Sequence, residues 1–313
     1  MQEKVHKLFQ DQIIGWPMLG ENWSKLETSL LKHFEFEGFS IRVQFNPKRI
    51  ISSAARLDQS SIEKRPCFLC TSNRPPEEDE LAFGNDYEIL CNPFPIFKEH
   101  FTIAKTEHSP QVIDPEFSRL LDLSKQLPEL VVFYNAPGCG ASAPDHMHFQ
   151  AGNRGFMPIE DELGALMDKY GKSLLSGGAC KVTAVNDGLR HFLVLESDKK
   201  EPLELVFAKI SDFMRQLSDG AEPMLNILAL FREKWQILIF PREKHRPWQF
   251  FEEGEKNILL SPASVDMGGV MILPLEKDFL KISREDIVDI FTQVGLSDRP
   301  FNELISMLGE KLS

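Results

Sequence analysis

The residues best suited to chemistry in this chain stand together in the run Tyr134-Asn135-Ala136-Pro137-Gly138-Cys139-Gly140-Ala141-Ser142-Ala143-Pro144-Asp145-His146-Met147-His148-Phe149-Gln150. A loop of small residues, Gly138 to Ser142, leads into the alternating segment His146-x-His148-x-Gln150. If that segment is a strand, its period of two puts His146, His148 and Gln150 on one face and Met147 and Phe149 on the other, against a core. Gly138 and Gly140 carry no Cβ, so backbone N–H groups of the loop can approach an anion closely. Neutral imidazole is a good nucleophile near pH 7 and, once phosphorylated, a good leaving group. Two imidazoles beside an anion cradle point to chemistry at phosphorus.

A second cluster lies upstream. Cys67-x2-Cys70 has zinc-type spacing but is only half of a site. Two more ligands are needed, and His108 and His146 are available; free thiols around Phe68-Leu69 are the alternative.

Several elements must position these groups. Residues 1–33 read as helical, and Gly38 to Phe45 alternates like a strand. A polar stretch to Lys64 holds Arg49, Ser52, Ser53 and Arg56. Tyr87 to Cys91 is a short apolar strand, closed by Asn92-Pro93-Phe94-Pro95, a turn pattern. His100 to His108 is a further strand with a His at each end, and Pro115 to Leu130 is a helix with a leucine face. Val131 to Tyr134 is the strand that feeds the glycine loop. This order suits an antiparallel α+β unit.

The second half repeats the first more faintly. Met224–Phe231 and Trp235–Phe240 form a hairpin pattern; Trp235–Phe240 with the following Pro241-Arg242-Glu243-Lys244-His245 echoes Phe101–Ala104 with Lys105–His108. Val270–Leu273, entered through Gly268-Gly269, takes the expected place of the His strand but carries no His. Residues 153–223 join the copies, with helices over Pro158–Tyr170 and Leu203–Leu217 and strands near Lys181–Ala184 and His191–Leu195. The expected division is residues 1–152, holding the active strand, and 153–313, holding linker helices and a degenerate copy.

Composition bounds the alternatives. At 313 residues with 42% hydrophobic content and 24 Phe, the chain can fill a sizeable two-lobed core. It has no apolar run long enough for a membrane span and no signal-like leader. Five cysteines, an odd count without such a leader, suit a reduced, cytoplasmic protein. A net charge of −12, from 35 basic and 47 acidic side chains, argues against general nucleic-acid binding but leaves room for one small nucleotide. The acidic run Glu77-Glu78-Asp79-Glu80 reads as a solvated loop.

The string His146-Met147-His148-Phe149-Gln150-Ala151 resembles the active-site signature of the histidine-triad (HIT-like) superfamily. More narrowly, it is similar to the branch with Gln in place of the third His: galactose-1-phosphate uridylyltransferases, diadenosine-polyphosphate phosphorylases and GDP-hexose phosphorylases. The resemblance implies antiparallel sheets with flanking helices in two intertwined HIT-like halves. It further implies a nucleotidyltransferase acting on a dinucleoside polyphosphate or nucleoside-diphosphate sugar, with phosphate or a sugar phosphate as acceptor. Carried over residue by residue, His148 is the nucleophile, and His146 an orienting group or metal ligand. Gln150 cannot ionise, and its amide would hold a non-bridging phosphate oxygen. Cys67, Cys70, His108 and His146 match a structural zinc site of the uridylyltransferases in order.

Asn92 and Asn135 match nucleotide-contacting asparagines, and Phe94 would pack on the base. Gly138, Gly140 and Ser142 belong to the phosphate loop. Of the basic residues near strand ends (Lys105, Arg242, Lys244, His245, Arg246), Arg242 and Lys244 are the expected phosphate pair, since they sit in the repeat-equivalent of the active half. One departure stands out. The family has Ser or Thr three residues before the first His, where this chain has Ala143, with Ser142 before it and Asp145 directly before His146. A hydrolase giving free nucleotide and a non-catalytic nucleotide sensor are the rival readings.

Overall fold

A computed structural model describes residues 1–50, 59–176, 178–218 and 222–312. Ser52, Ser53 and Arg56 of the polar stretch lie outside the described residues. The N-terminal segment is two helices, Gln2–Gly15 and Pro17–Ser24. Pro17 disfavours helical geometry in the residue before it, and Trp16 turns the chain with φ −115° and ψ 99°. His33, expected at a helix end, lies instead within strand β1 (Leu31–Glu35).

The remaining strands are β2 (Ser40–Phe45), β3 (Glu80–Phe83), β4 (Tyr87–Cys91), β5 (His100–Lys105), β6 (Leu130–Asn135), β7 (His148–Asn153), β8 (Gly171–Leu175), β9 (Lys181–Asn186), β10 (His191–Ser197), β11 (Leu225–Phe231), β12 (Trp235–Pro241) and β13 (Val270–Leu273). Ten of them form one sheet in the order β3-β4-β5-β7-β6-β11-β12-β10-β9-β8, and β1, β2 and β13 form a second, small sheet. All neighbours in the large sheet are antiparallel.

The large sheet is a duplication. From its outer edge inward the first half runs β3-β4-β5-β7-β6 and the second β8-β9-β10-β12-β11, the same path five strands later. In each half a helix joins the third strand of that path to the innermost one, β5 to β6 and β10 to β11: Phe117–Gln126 and Lys200–Leu217. The halves meet where β6 pairs with β11, Asn135 opposite Asn226. The fold class is therefore α+β with two HIT-like halves, but the expected alignment of the copies needs correction. The counterpart of the His strand β7 is β12, not Val270–Leu273. Val270–Leu273 is β13, which pairs in parallel with β2 in the small sheet. A short apolar run does not reveal its partner, and the glycine pair Gly268-Gly269 imitated the glycine loop only in composition.

Each face of the large sheet carries its own core. Phe149, Ala151, Val132 and Tyr134 face helices Phe117–Gln126, Lys200–Leu217 and Asp298–Leu312. Phe133, Leu228, Leu238 and Phe240 face the small sheet and helices Ile159–Tyr170 and Arg284–Val294. Among the described residues no helix is long and apolar enough to cross a membrane.

Candidate active site

Alternation along β7 places His148 and Gln150 opposite Phe149 and Ala151, because both of the latter are in the first core. The strand begins at His148, so His146 is not part of the flat face that the sequence suggested. His146 lies in the preceding bend, with its Nε2–H donating to the Lys105 carbonyl (2.6 Å).

His148 is only 3% exposed. Its Nδ1–H donates to the His146 carbonyl at 2.8 Å, which leaves the lone pair on Nε2. Burial pushes its pKa down to about 4, with a smaller push from His146, so the ring is neutral at pH 7. Gln111 holds this stretch from behind. Its amide donates to the carbonyls of His148 (2.9 Å) and Asn135 (3.1 Å), and its Oε1 accepts the His148 N–H (2.8 Å). Gln150 is bound by His100, which is fully buried on β5: His100 Nε2 lies 3.0 Å from Gln150 Oε1.

Gln150 opens into a narrow cleft of about 60 Å³ shared with Arg49, Asn135, Gly140, Ala141, Ser142, Arg246 and Ser261. Gly140 has φ +93°, and a Cβ there would come within 2.6 Å of the Ala263 Cβ; only glycine permits this approach. Gly138 does not border the cleft, and a Cβ on it would meet the Met224 side chain at 3.3 Å. Asn135 offers its Oδ1 to Asn226 Nδ2 (2.8 Å), Ser264 N–H (2.8 Å) and Ser264 Oγ–H (2.7 Å). Its Nδ2 has no protein partner among the described residues and is left as a donor beside the cleft.

The departures at residues 143 and 145 acquire a structural account. Ala143 is buried against Cys67, Leu69, Leu90 and Ala104, where a hydroxyl would lack solvent. Ser142 borders both the cleft and the larger cavity beside it, so a hydroxyl is supplied one residue earlier. Asp145 turns to Arg65, 2.5 Å away, which neutralises it near the site.

Neither member of the expected phosphate pair borders the cleft. Arg242 is 1% exposed and spends all five N–H donors inside the protein. These reach the carbonyls of Val294, Pro262, Lys244 and His245, and Asn226 Oδ1. No donor remains for a phosphate. Lys244 is exposed and does not border the cleft. The arginines that do are Arg49 and Arg246. Arg49 donates to the Phe94 carbonyl (3.3 Å), and although burial lowers its pKa to about 10 it stays charged. Arg246 donates from Nε to Ser261 Oγ (3.1 Å) and lies over the Phe250 ring at 4.0 Å. Both had a basic side chain in a polar setting as their only sequence signal, and so do many surface residues. His100 was visible merely as a His at a strand end.

Beyond Arg49 and Ser142 the cleft opens into a cavity of about 600 Å³ whose lining includes Phe68, Leu69, Leu90, Asn92, Phe94 and Trp16. Asn92 forms a turn: its Oδ1 accepts the Phe94 N–H (3.0 Å), and its Nδ2 donates to Thr102 Oγ1 (3.2 Å). That turn presents Phe94 to the cavity, so the turn and the lining role of Asn92 coincide.

Cys67, Cys70, His108 and His146 converge, with one ligand atom of each within 4.8 Å of the others. Cys67 Sγ is 3.3 Å and Cys70 Sγ 3.6 Å from His146 Nδ1, and Cys70 Sγ is 3.2 Å from His108 Nδ1. A tetrahedron with Zn–S of about 2.3 Å and Zn–N of about 2.0 Å has S···N edges of roughly 3.5 Å. The donor set therefore fits zinc. Burial raises the Cys67 thiol, but hydrogen bonds from His146 and the backbone N–H groups outweigh it and bring it down to about 6. The contact of His146 Nε2–H with the Lys105 carbonyl is the outer-shell bond expected of a metal-bound His.

The fold is a two-half HIT-like one. Residues 173–313 match the family model described as GDPGP1-like, C-terminal domain, and residues 8–153 match the one described as Domain of unknown function (DUF4922). Among solved structures, yeast Ap4A phosphorylase Apa2 is similar along nearly its full length. It has a TM-score of 0.57 and 17% identity, covering 96% of this chain and 97% of that one. The same yeast enzyme in complex with AMP gives a TM-score of 0.58, 17% identity and coverage of 93% and 96%. Its complex with Ap4A gives 0.52, 17%, 90% and 96%. No curated protein matches the chain. These likenesses show the fold that the chain shares with the yeast enzyme, and the two family models match separate parts of the chain.

Proposed function

We propose that this protein is a nucleotidyltransferase of phosphorylase type that works through a covalent nucleotidyl-His148. The observation that carries the reading is the state of His148: neutral, with Nδ1–H committed to the His146 carbonyl and the lone pair on Nε2. The Nε2 lone pair attacks the α-phosphorus of a dinucleoside polyphosphate or nucleoside-diphosphate sugar. The bond from phosphorus to the bridging oxygen breaks, and the distal half leaves with that oxygen. An oxygen of inorganic phosphate, or of a sugar phosphate, then attacks the same phosphorus. The P–N bond breaks, and its electron pair returns to Nε2.

Donors surround the place where charge gathers in both steps. The Asn135 amide, the Gln150 amide, Ser142 and the backbone of Gly140–Ser142 border it, with Arg49 and Arg246 for the polyphosphate. The nucleoside would occupy the larger cavity, its base against Phe94, as nucleotides suit an apolar pocket with few polar groups. Yeast Ap4A phosphorylase, solved with AMP and with Ap4A, lends support to a nucleotide substrate. Cys67, Cys70, His108 and His146 would hold zinc, which supplies structural cross-linking of the knuckle to the bend before β7. A reduced, cytoplasmic setting suits the five free thiols of the described chain.

The reading is tested by incubating the protein with nucleoside-diphosphate sugars and dinucleoside polyphosphates, with and without phosphate, followed by mass spectrometry. Without acceptor, one nucleotidyl group should remain on His148, labile to acid and stable to alkali, because protonating the P–N nitrogen makes imidazole leave. With phosphate, a nucleoside diphosphate should appear. Equal release of nucleoside monophosphate in both cases would support a hydrolase instead, and tight nucleotide binding with no turnover a sensor.

A further inference from the structure

The transferase reading gives Gln150 the task of donating to a phosphate oxygen. A glutamine amide is nearly symmetric in shape, and turning it over would present Oε1, an acceptor, to an anion. Something must decide which end faces the cleft. Gln150 is only partly buried, so packing alone does not decide it.

His100 stands beside it on the neighbouring strand, where Thr102 pairs with Gln150 and His100 with Gly152. The ring is fully buried between Phe97, 5.3 Å between centroids, and Phe133, at 6.2 Å. Its Nδ1 accepts the backbone N–H of Ile96 at 3.4 Å. In the neutral imidazole the proton must then sit on Nε2, which faces Gln150 Oε1 at 3.0 Å. Burial is the main cause of a pKa pushed down to about 3, so this tautomer persists across the physiological range.

We infer that His100 is the positioning residue of the site: by donating Nε2–H to Gln150 Oε1 it fixes the amide so that only N–H donors meet the α-phosphate. The chain of bonds runs from Ile96 N–H through the ring to the Gln150 carbonyl and ends in an NH₂ group directed to the cleft. A consequence is that Gln150 turns its NH₂ donors, and not Oε1, toward the phosphate.

The inference rests on the nucleotidyl-His148 reading, and one experiment separates the two. Adduct formation and the ratio of phosphorolysis to hydrolysis are measured for wild type, His100→Phe, Gln150→Ala, the double variant and His100→Gln. Phe keeps the ring packing without an N–H; Gln places an amide N–H near the position of Nε2. His100→Phe should slow adduct formation by about 10²- to 10³-fold, the same loss as Gln150→Ala, with KM changed less than threefold. The double variant should lose no more than either single, and His100→Gln should recover at least tenfold of the loss. Additive losses in the double variant, or wild-type rates in His100→Phe, would overturn the positioning role while leaving the covalent mechanism standing. No adduct in wild type would instead remove the reading beneath it. Should His100→Phe fail to fold, His100→Gln with and without Gln150→Ala carries the same test: near-wild-type rates only when Gln150 is present support the inference, and equal losses in both backgrounds oppose it.

Discussion

Strands β7 and β12 occupy equivalent places in the two halves of one sheet, and they differ in chemistry along a single face. On β7 that face shows His148 and Gln150; on β12 it shows Gln236, Leu238 and Phe240, and Leu238 and Phe240 fill a core. The same backbone path holds a buried imidazole and a glutamine bordering a narrow cleft in one copy, and close-packed hydrocarbon in the other. The second copy is nonetheless not idle. Asn226 on β11, opposite Asn135, passes the hold of Arg242 across the central seam. Ser264 and the segment around Ser261 and Arg246 close the cleft from the far side. The two halves thus share one backbone path while the candidate site draws its strand from the first and its bracing from the second.

The comparison breaks most sharply at His148. His148→Ala should abolish the adduct and reduce turnover below about 10⁻⁴ of wild type, since a missing nucleophile has no substitute on that face. His148→Gly should regain some activity with added imidazole. Because burial depresses this pKa to about 4, the neutral, reactive ring persists as pH falls. The acid limb of kcat/KM in wild type should therefore lie near pH 4 and not near 6.5, in a pH–rate profile at limiting substrate.

Arg242→Met tests the bracing half. It leaves four carbonyls and Asn226 Oδ1 without their donor, and should cost about 3 kcal/mol or more in denaturant unfolding. Activity should fall in the surviving folded protein as Asn135 loosens. Full activity at full stability would show that the halves are independent.

The candidate metal site lies in the first half of the chain. Protein never exposed to chelator should contain about one zinc per chain by elemental analysis. Cys70→Ser should remove it and reduce activity by about 10- to 100-fold, in the range seen when a metal's supporting shell is disturbed. No metal in wild type would return Cys67 and Cys70 to the core as thiols.

The smallest contrast lies within one loop of the second half. Arg246→Ala should raise KM about 10-fold, the value of one charge-assisted phosphate contact. Lys244→Ala, exposed and away from the cleft, should change it less than twofold. Equal effects would mean that the loop, and not the individual guanidinium, binds substrate.

What was legible in the sequence was local. His148 and Gln150 on one face, the Cys67-x2-Cys70 knuckle as half of a metal site, and the need for glycine near residue 140 follow from strand periodicity and ligand spacing, which operate over a few residues; His108 and His146 completed that ligand set through the resemblance to the uridylyltransferases. The existence of a repeat was legible too, because each copy carries its own pattern of apolar strands. The partner of each strand was not. β13 and β12 are both short apolar runs, and only tertiary pairing assigned one to the small sheet and the other to the place of the His strand.

Nor could spacing tell an arginine at the cleft from a bracing one. Arg242 and Arg246 are four residues apart and share the same chemistry. Whether a guanidinium meets a substrate depends on how many of its donors the folded chain has already taken, and for Arg242 that count is settled by groups distant in sequence, among them the carbonyls of Val294 and Pro262. Residue types determined the chemistry available to this protein; long-range packing decided which groups were left free to perform it, because a hydrogen-bond donor satisfied within the core is no longer a donor to a ligand.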